Sequence, residues 1–476
     1  MDRRTFLRNA ASSVAALGTM RGFPVGDLQA DAGKNGERPN ILYIMTDQQY
    51  AGAMSCAGNT HLKTPAMDSL AADGVAFERS YCAFPLCVPS RAAMVTGRMP
   101  HEFGIEVNVG QRDVKVEAPT MGALLGAAGY ECVYFGKWHL PIPTGDVKTH
   151  GFRILSDKGD GNCAEACAAF LKQKHEKPFL AFASFVNPHD ICQHARGEKF
   201  PQGPIPEPPP PDQCPPLPDN LGIPEGEPQA LRKIQALCSK KIYPTDGWPP
   251  ERWRQYRWAY YRLTEKVDAQ VGIILNALRE SGLEGNTVVI FSSDHGDGHG
   301  AHRWNQKQIL YEEVARVPFI VSWKGVTKAG LKDRGHLVSS GLDLLPTMCD
   351  YAGISTPEGL TGASVREIAE GGRSAKWRDY VVTETAFSEG GDFFGVRGRM
   401  VRSGRFKYIA YSCDGKRVKV DEGWKREQLF DLEKDPGEMK DLASYPAHSN
   451  TLAEHRKMLA EWIRRTGDQF HMPEGT

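Results

Sequence analysis

The chain has 476 residues, 41% hydrophobic and 24% charged, enough to bury a large core and to divide into two domains. Lys plus Arg equals Asp plus Glu at 58 each, so no global field draws in nucleic acid or anionic lipid, and any site for an anionic ligand has to be local. No stretch has the apolar length that a transmembrane helix needs.

In chain order, Asp2-Arg3-Arg4-Thr5-Phe6-Leu7-Arg8 precedes a small-residue, weakly apolar stretch over 10–20, then Pro24 and polar residues. That is the shape of a twin-arginine export leader over 1–32, cut near Ala30 or Ala32, and it predicts a periplasmic or secreted protein. Residues 40–45 form a short apolar run ending in Thr46-Asp47-Gln48-Gln49, as a buried parallel strand does with functional residues at its carboxyl end. Helices are predicted over 65–72, from Ser90 over 90–96, and over 120–128. Strands are predicted over 131–135, 179–185, 287–292 and 317–322. Tyr260, Leu263, Val267, Val271, Ile274 and Leu278 recur at helical spacing and predict one long helix over 251–283. Alternating strands and helices imply an α/β layered domain with a large, mostly parallel sheet, placed at 38–375.

Between residues 197 and 250 the prolines leave no room for regular structure, and the stretch reads as an insertion near the mouth of a site. After about residue 376 short strands are expected at 379–385, 400–403 and 406–411, with a closing amphipathic helix over 449–466, giving a smaller domain over 376–476. Eleven cysteines is an odd count for an exported chain. Were Cys87 chemically converted, ten would remain, a parity compatible with disulfides. Of these, Cys192, Cys214 and Cys238 flank or lie in the insertion, where a crosslink would help most. Cys163 and Cys167, one helical turn apart, fit small buried residues.

The chemistry is concentrated in short motifs at the predicted strand ends. Cys87-Val-Pro-Ser-Arg91 continues Ala-Ala-Met-Val-Thr-Gly-Arg98; Asp47-Gln48 and Asp294-His295 each close an apolar strand; Lys137-Trp-His139, Pro188-His189 and His302-Arg-Trp-Asn-Gln-Lys307 follow others. Two pairs of oxygen and nitrogen donors at neighbouring strand ends can converge on one cation. Arg91 lies four residues beyond Cys87, on the same face of a helix. A helix start there adds partial positive charge at residue 87, with Ser90 as its cap.

Taken in this order, these motifs resemble the sulfatase signature, and the resemblance spans nearly the whole chain after the leader. It implies an alkaline phosphatase-like fold with a C-terminal antiparallel-sheet subdomain, to which Asp435-Pro-Gly-Glu438 and Asp441-Leu442 correspond. It implies that Cys87 is oxidised, by a formylglycine-generating enzyme, to an aldehyde that hydrates to a gem-diol nucleophile. It further implies one calcium ion held by Asp47, Gln48, residue 87, Asp294 and His295, although the imidazole leaves manganese or zinc open. By the same resemblance Arg91 holds the diol oxygen, Lys137 and Lys307 neutralise the sulfonyl oxygens, and His139 collapses the covalent intermediate. His189 or His302 protonates the leaving alcohol, and neighbouring anions are expected to raise the His189 pKa. His299 is left as solvated or structural.

The expected activity is hydrolysis of a sulfate ester, with a sulfated carbohydrate as the leading substrate. Aryl or choline-type sulfates are the runner-up, and phosphonate monoester or phosphodiester hydrolysis is the alternative within the same superfamily. A non-catalytic sugar-sulfate binder would require missing catalytic groups, and each of them is present.

Overall fold

A computed structural model describes residues 38–108, 115–157, 159–372, 376–389 and 392–473; the 1–32 leader lies outside them. In chain order the strands are β1 (Asn40–Asp47), β2 (Val75–Phe77), β3 (Ser80–Tyr81), β4 (Glu131–Gly136), β5 (Arg153–Ser156), β6 (Phe179–Pro188) and β7 (Thr287–Ser293). They continue as β8 (Phe319–Ser322), β9 (Leu331–Asp333), β10 (Val338–Ser339), β11 (Val381–Glu389), β12 (Asp392–Arg402), β13 (Phe406–Cys413) and β14 (Glu427–Asp431). One eight-stranded sheet runs β5-β4-β6-β1-β7-β8-β2-β9, and β8 alone is antiparallel to its neighbours. The α/β class and the mostly parallel sheet stand as expected.

β1 is an unbroken apolar run because both of its faces are covered. Successive side chains point to opposite faces. Ile41, Tyr43 and Met45 therefore enter one core cluster while Leu42 and Ile44 enter another, and β7 divides the same way, Val288 and Ile290 against Val289 and Phe291. The long helix, Pro250–Glu280, covers the second cluster with Val267, Val271, Ile274 and Leu278. Each such side chain contributes about 1.5–3 kcal/mol on burial. Cys163 and Cys167 sit on the Asp160–Leu171 helix, buried in the same cluster, as small apolar residues do.

The first half of the long helix is used differently. Trp253, Tyr256 and Tyr260 pack against Cys214, Tyr243 and Trp248 from the insertion. The insertion is thereby more ordered than its prolines imply: a helix forms over Gln229–Leu237, followed by a wider turn over Cys238–Ile242. The proline-poor stretch after Pro228 escapes the steric restriction, and Ala230, Leu231 and Ile234 bury one face of it. All eleven cysteines are unpaired, so the crosslinks considered for Cys192, Cys214 and Cys238 do not form.

The C-terminal strands make a four-stranded antiparallel sheet, β11-β12-β13-β14, closed by the helix Ser449–Thr466. It docks directly on the segment leading to Cys87: Thr383 Oγ1 donates to the Cys82 carbonyl at 2.7 Å and Glu384 N to the Ala83 carbonyl at 2.9 Å. Behind it, the fully buried Lys407 pairs with Glu312 at 2.8 Å and Glu438 at 2.7 Å. The Asp435-Pro-Gly-Glu438 turn is therefore anchored to the residues beyond Lys307 and does more than reverse the chain.

Gly136 ends β4 immediately before Lys137 with φ +84°, and a Cβ there would collide with the Ser184 carbonyl oxygen on β6. Gly136→Ala is expected to cost at least about 2 kcal/mol in urea unfolding. It should also displace Lys137; unfolding midpoints equal to the parent would show that the strand end tolerates a side chain.

Candidate active site

β4, β6, β1 and β7 are consecutive in the sheet and mutually parallel, so their carboxyl ends lie along one edge. Functional groups collect at that edge in open parallel sheets because the chain leaves every strand there. Asp47 closes β1, Lys137 follows β4, His189 follows β6, and Asp294 and His295 follow β7. The helix Cys87–Thr96 begins at this edge, three residues earlier than expected, with Leu86 as its cap. Its N-terminus directs partial positive charge at Cys87.

Cys87 is fully buried among these groups. Its Sγ lies 3.3 Å from Lys307 Nζ, 3.4 Å from His295 Nε2 and 3.8 Å from Asp47 Oδ1, and His139 and His189 stand beside the same side chain. The sulfur marks where the oxygens of an oxidised, hydrated residue 87 would stand. Burial pushes the thiol up, but Lys307, Lys137 and His295 outweigh it and hold it well below its usual range. Lys307 is stabilised reciprocally: burial pulls it down, while Cys87, Cys192 and Asp47 hold it well above the ordinary lysine value.

Arg91 organises the floor of the site. It is 1% exposed, with Nη2 2.8 Å from Asp47 Oδ2, Nε 3.0 Å from Asp294 Oδ2, and Nη1 donating to Ser184 Oγ at 2.9 Å and to the Lys137 carbonyl at 3.0 Å. Its donors are thus committed to the two carboxylates and to the strand ends beside them. Ser90 lies inside the helix rather than at its cap, and its hydroxyl donates to the Asp294 carbonyl at 2.6 Å. Lys137 Nζ reaches Asp47 Oδ2 at 2.6 Å.

Asp47, Cys87, Asp294 and His295 present ligand atoms all within 4.8 Å of one another, every one of them buried. Burial, and then the facing Asp47, push the Asp294 carboxyl up to about 6. Burial and the Cys87 charge also act against Asp47, but Lys137, His189 and Arg91 hold it below the usual carboxylate range. Two dehydrated carboxylates facing one another, with an imidazole and residue 87 beside them, fit a divalent cation. Gln48 lies next to this group without pointing into it: Oε1 accepts from Lys307 at 3.1 Å, Nε2 donates to Asp297 at 2.6 Å, and only its main-chain N meets Asp294.

Two histidines depart from expectation, and a third takes one of its two expected readings. His189 is lowered to about 4, first by burial and then by Lys307 and Lys137, because cations rather than anions dominate its surroundings. His299 is buried against Tyr50, Tyr260 and Tyr261, with Arg257 donating to its Nδ1 at 3.0 Å, so of the solvated and structural readings the structural one holds. His302 makes no contact with Cys87. It stacks on Tyr311 with ring centroids 3.9 Å apart, and Asn220 of the insertion meets its Nε2 at 3.4 Å. The same Asn220 amide donates to Glu313 at 2.9 Å and to the Gly437 carbonyl at 3.1 Å, while His302 N donates to the Asn220 carbonyl at 2.6 Å. His302 therefore pins the insertion to the C-terminal turn.

Sequence reasoning missed three supporting groups. Ser184 braces Arg91; Asp160 accepts from the main chain of Val186 and Asn187 and fixes the end of β6; Asp297 holds Gln48 and accepts from Tyr256 at 3.2 Å. Asp297 stands three residues past Asp294, a spacing visible in the sequence but indistinguishable there from a loop carboxylate.

A family model described as Sulfatase matches residues 39–354, and one described as N-sulphoglucosamine sulphohydrolase, C-terminal, matches residues 300–465. A Delta 4,5-hexuronate-2-O-sulfatase of Bacteroides thetaiotaomicron is 34% identical over 91% of this chain and 90% of its own length. An arylsulfatase of Clostridium perfringens is 27% identical over 89% and 94%. A solved 2-O GAG sulfatase superposes with a TM-score of 0.80 at 32% identity, covering 92% of this chain and 95% of that one. The fold is also shared with the phosphonate monoester hydrolase of Agrobacterium radiobacter, at a TM-score of 0.72, 21% identity, and 90% and 96% coverage.

Burial, and then Lys407, lower the His302 pKa to about 3. An unfolded chain with histidine near 6.5 binds the proton first, so this group's contribution to stability is complete above pH 6.5 and is lost as pH falls toward 3. Urea unfolding between pH 4 and 7 should show a slope of stability against pH shallower by up to about one proton in His302→Gln. Identical slopes would contradict a buried, neutral His302.

Proposed function

The chain belongs to the sulfatase family, it is a sulfuric ester hydrolase, and on that premise we propose that it releases sulfate from a sulfated carbohydrate through residue 87. The observation that carries this reading is the setting of Cys87, where Lys307, His295, His139 and His189 meet one buried side chain at the edge of the parallel sheet. The substrate class follows the Delta 4,5-hexuronate-2-O-sulfatase and the 2-O GAG sulfatase, each more than 30% identical over nine-tenths of the chain. A sulfated uronic acid is the specific form proposed.

Oxidised to formylglycine, residue 87 would supply a gem-diol hydroxyl as the nucleophile at sulfur. Asp47, Asp294, His295 and residue 87 would hold a calcium ion, which supplies positive charge to the nucleophile and to the sulfonyl oxygens. Arg91 keeps the two carboxylates in place by bonding both at once. Lys307 and Lys137 stand where sulfonyl charge has to be neutralised. His189, neutral in the free site, gains its proton only when a bound sulfate offsets the two lysines, which leaves it as the acid for the departing alcohol. His139 is left to take the proton from residue 87 when sulfate departs. His302 has no part in the proton transfers. The arginine pair at residues 3 and 4 supports export to the periplasm or beyond, with a formylglycine-generating enzyme acting before transport.

Cys87→Ala should abolish turnover while urea unfolding still shows a folded protein, and the active enzyme should be about 18 Da lighter at residue 87 than the thiol form. Full activity in the variant would sink the mechanism. A screen of position-defined sulfated saccharides beside an aryl sulfate, read as inorganic sulfate released, should favour a uronic acid sulfate. Turnover of the aryl sulfate alone would overturn the substrate.

A further inference from the structure

Lys307 Nζ lies 3.3 Å from Cys87 Sγ and 3.1 Å from Gln48 Oε1, and the Cys192 thiol meets the same Gln48 oxygen at 3.6 Å. The phenol of Tyr243, which the insertion delivers just past its Cys238–Ile242 turn, is among the groups that act electrostatically on Lys307. Two further charged groups stand near Tyr243. Arg196 ends the short helix after His189, and its guanidinium stands 5.2 Å from the centre of the Tyr243 ring, while its Nε donates to Glu198 at 2.9 Å. Glu389 ends β11, and its carboxyl lies beside the Tyr243 side chain. Its position is fixed from the neighbouring residue, because the Gln308 amide, next to Lys307, exchanges two hydrogen bonds with the Ser388 main chain at 2.9 and 2.7 Å. The His189 segment, the insertion and the C-terminal sheet thus converge around Tyr243, near Lys307.

We propose that Arg196, Tyr243 and Glu389 form the sugar-side subsite, with Arg196 taking the carboxylate of a sulfated uronic acid and Glu389 accepting a ring hydroxyl. The proposal rests on the sulfated-saccharide reading above. A uronic acid sulfate carries two anions. Lys137 and Lys307 serve the sulfate, and Arg196 is the further cation beside them, with a planar fork that matches a carboxylate in both shape and charge. The Tyr243 ring beneath it restricts the guanidinium in advance and so lowers the entropy lost on binding. An ionised Glu389 can only accept, which suits a hydroxyl and repels an anion, so it fixes which edge of the sugar faces which residue. Burial raises the Glu389 pKa, and Lys307 and Arg196 work against that rise, consistent with the three charges lying near one another.

The test crosses enzyme and substrate variants in the full-length, oxidised protein. The substrates are a uronic acid 2-sulfate and the same sugar with its carboxyl reduced to an alcohol. Removing either the guanidinium (Arg196→Ala) or the carboxylate should lower kcat/KM by about 10- to 100-fold, and removing both should cost no more than removing one. Arg196→Lys, which keeps the charge and loses the fork, should fall between, and Glu389→Gln should lower kcat/KM on both sugars. Losses that multiply, or a reduced sugar that is cleaved as well as the uronate, would overturn the Arg196 assignment while leaving the saccharide reading intact. Failure of the parent enzyme to cleave any sulfated saccharide would overturn both.

Discussion

The structure turns on a single buried guanidinium. Arg91 is enclosed between Asp47 at the end of β1 and Asp294 at the end of β7, and it also bonds the strand ends of β4 and β6. Two facing carboxylates in a dry interior repel each other strongly, and removing one partner of such a network leaves a charge uncompensated at a cost of about 3–5 kcal/mol. The arrangement holds because cations surround it. Arg91 takes one oxygen of each acid, Lys137 adds a second cation to Asp47, and the remaining oxygens look toward His295 and residue 87. The central four strands are thus tied at the edge where the chemistry occurs, and their ends cannot move independently.

The two ends of the site are built by different means. The nucleophile side is rigid: a helix start, four parallel strand ends and fully buried side chains. The opposite side is assembled from segments remote in sequence, held by contacts of their own. Asn220 and His302 pin the insertion, Lys407 pins the Asp435-to-Glu438 turn, and Gln308 pins the end of β11. Reaction and recognition are thereby separated, since loops can vary without disturbing the strand ends that hold the charged groups.

Much of this was legible beforehand, for reasons that differ by element. β1 and β7 announce themselves because a strand covered on both faces is apolar throughout and ends abruptly in polar residues. The long helix is legible because its apolar residues follow the helical period from Tyr260 to Leu278. The helix inside the insertion was hidden by prolines that surround it without entering it. The start at Cys87 was displaced because Ser90 looks like a cap when only local preference is considered, whereas its hydroxyl is claimed by the Asp294 carbonyl 204 positions away.

The sequence by itself determined five strands of the sheet, their ends and the motifs upon them, but not the short β2, β5 and β9, because short-range periodicity and residue chemistry are local properties. Tertiary structure alone decided how those residues are used. His302 and Lys307 lie five positions apart, yet one stacks on Tyr311 beneath the insertion while the other touches residue 87. Gln48 follows Asp47 directly, yet turns its amide to Lys307 and Asp297. His189 is left neutral by burial and by two lysines that no local pattern places beside it. Charges interact through space and dielectric rather than along the chain, so their balance exists only once the strands have been brought side by side.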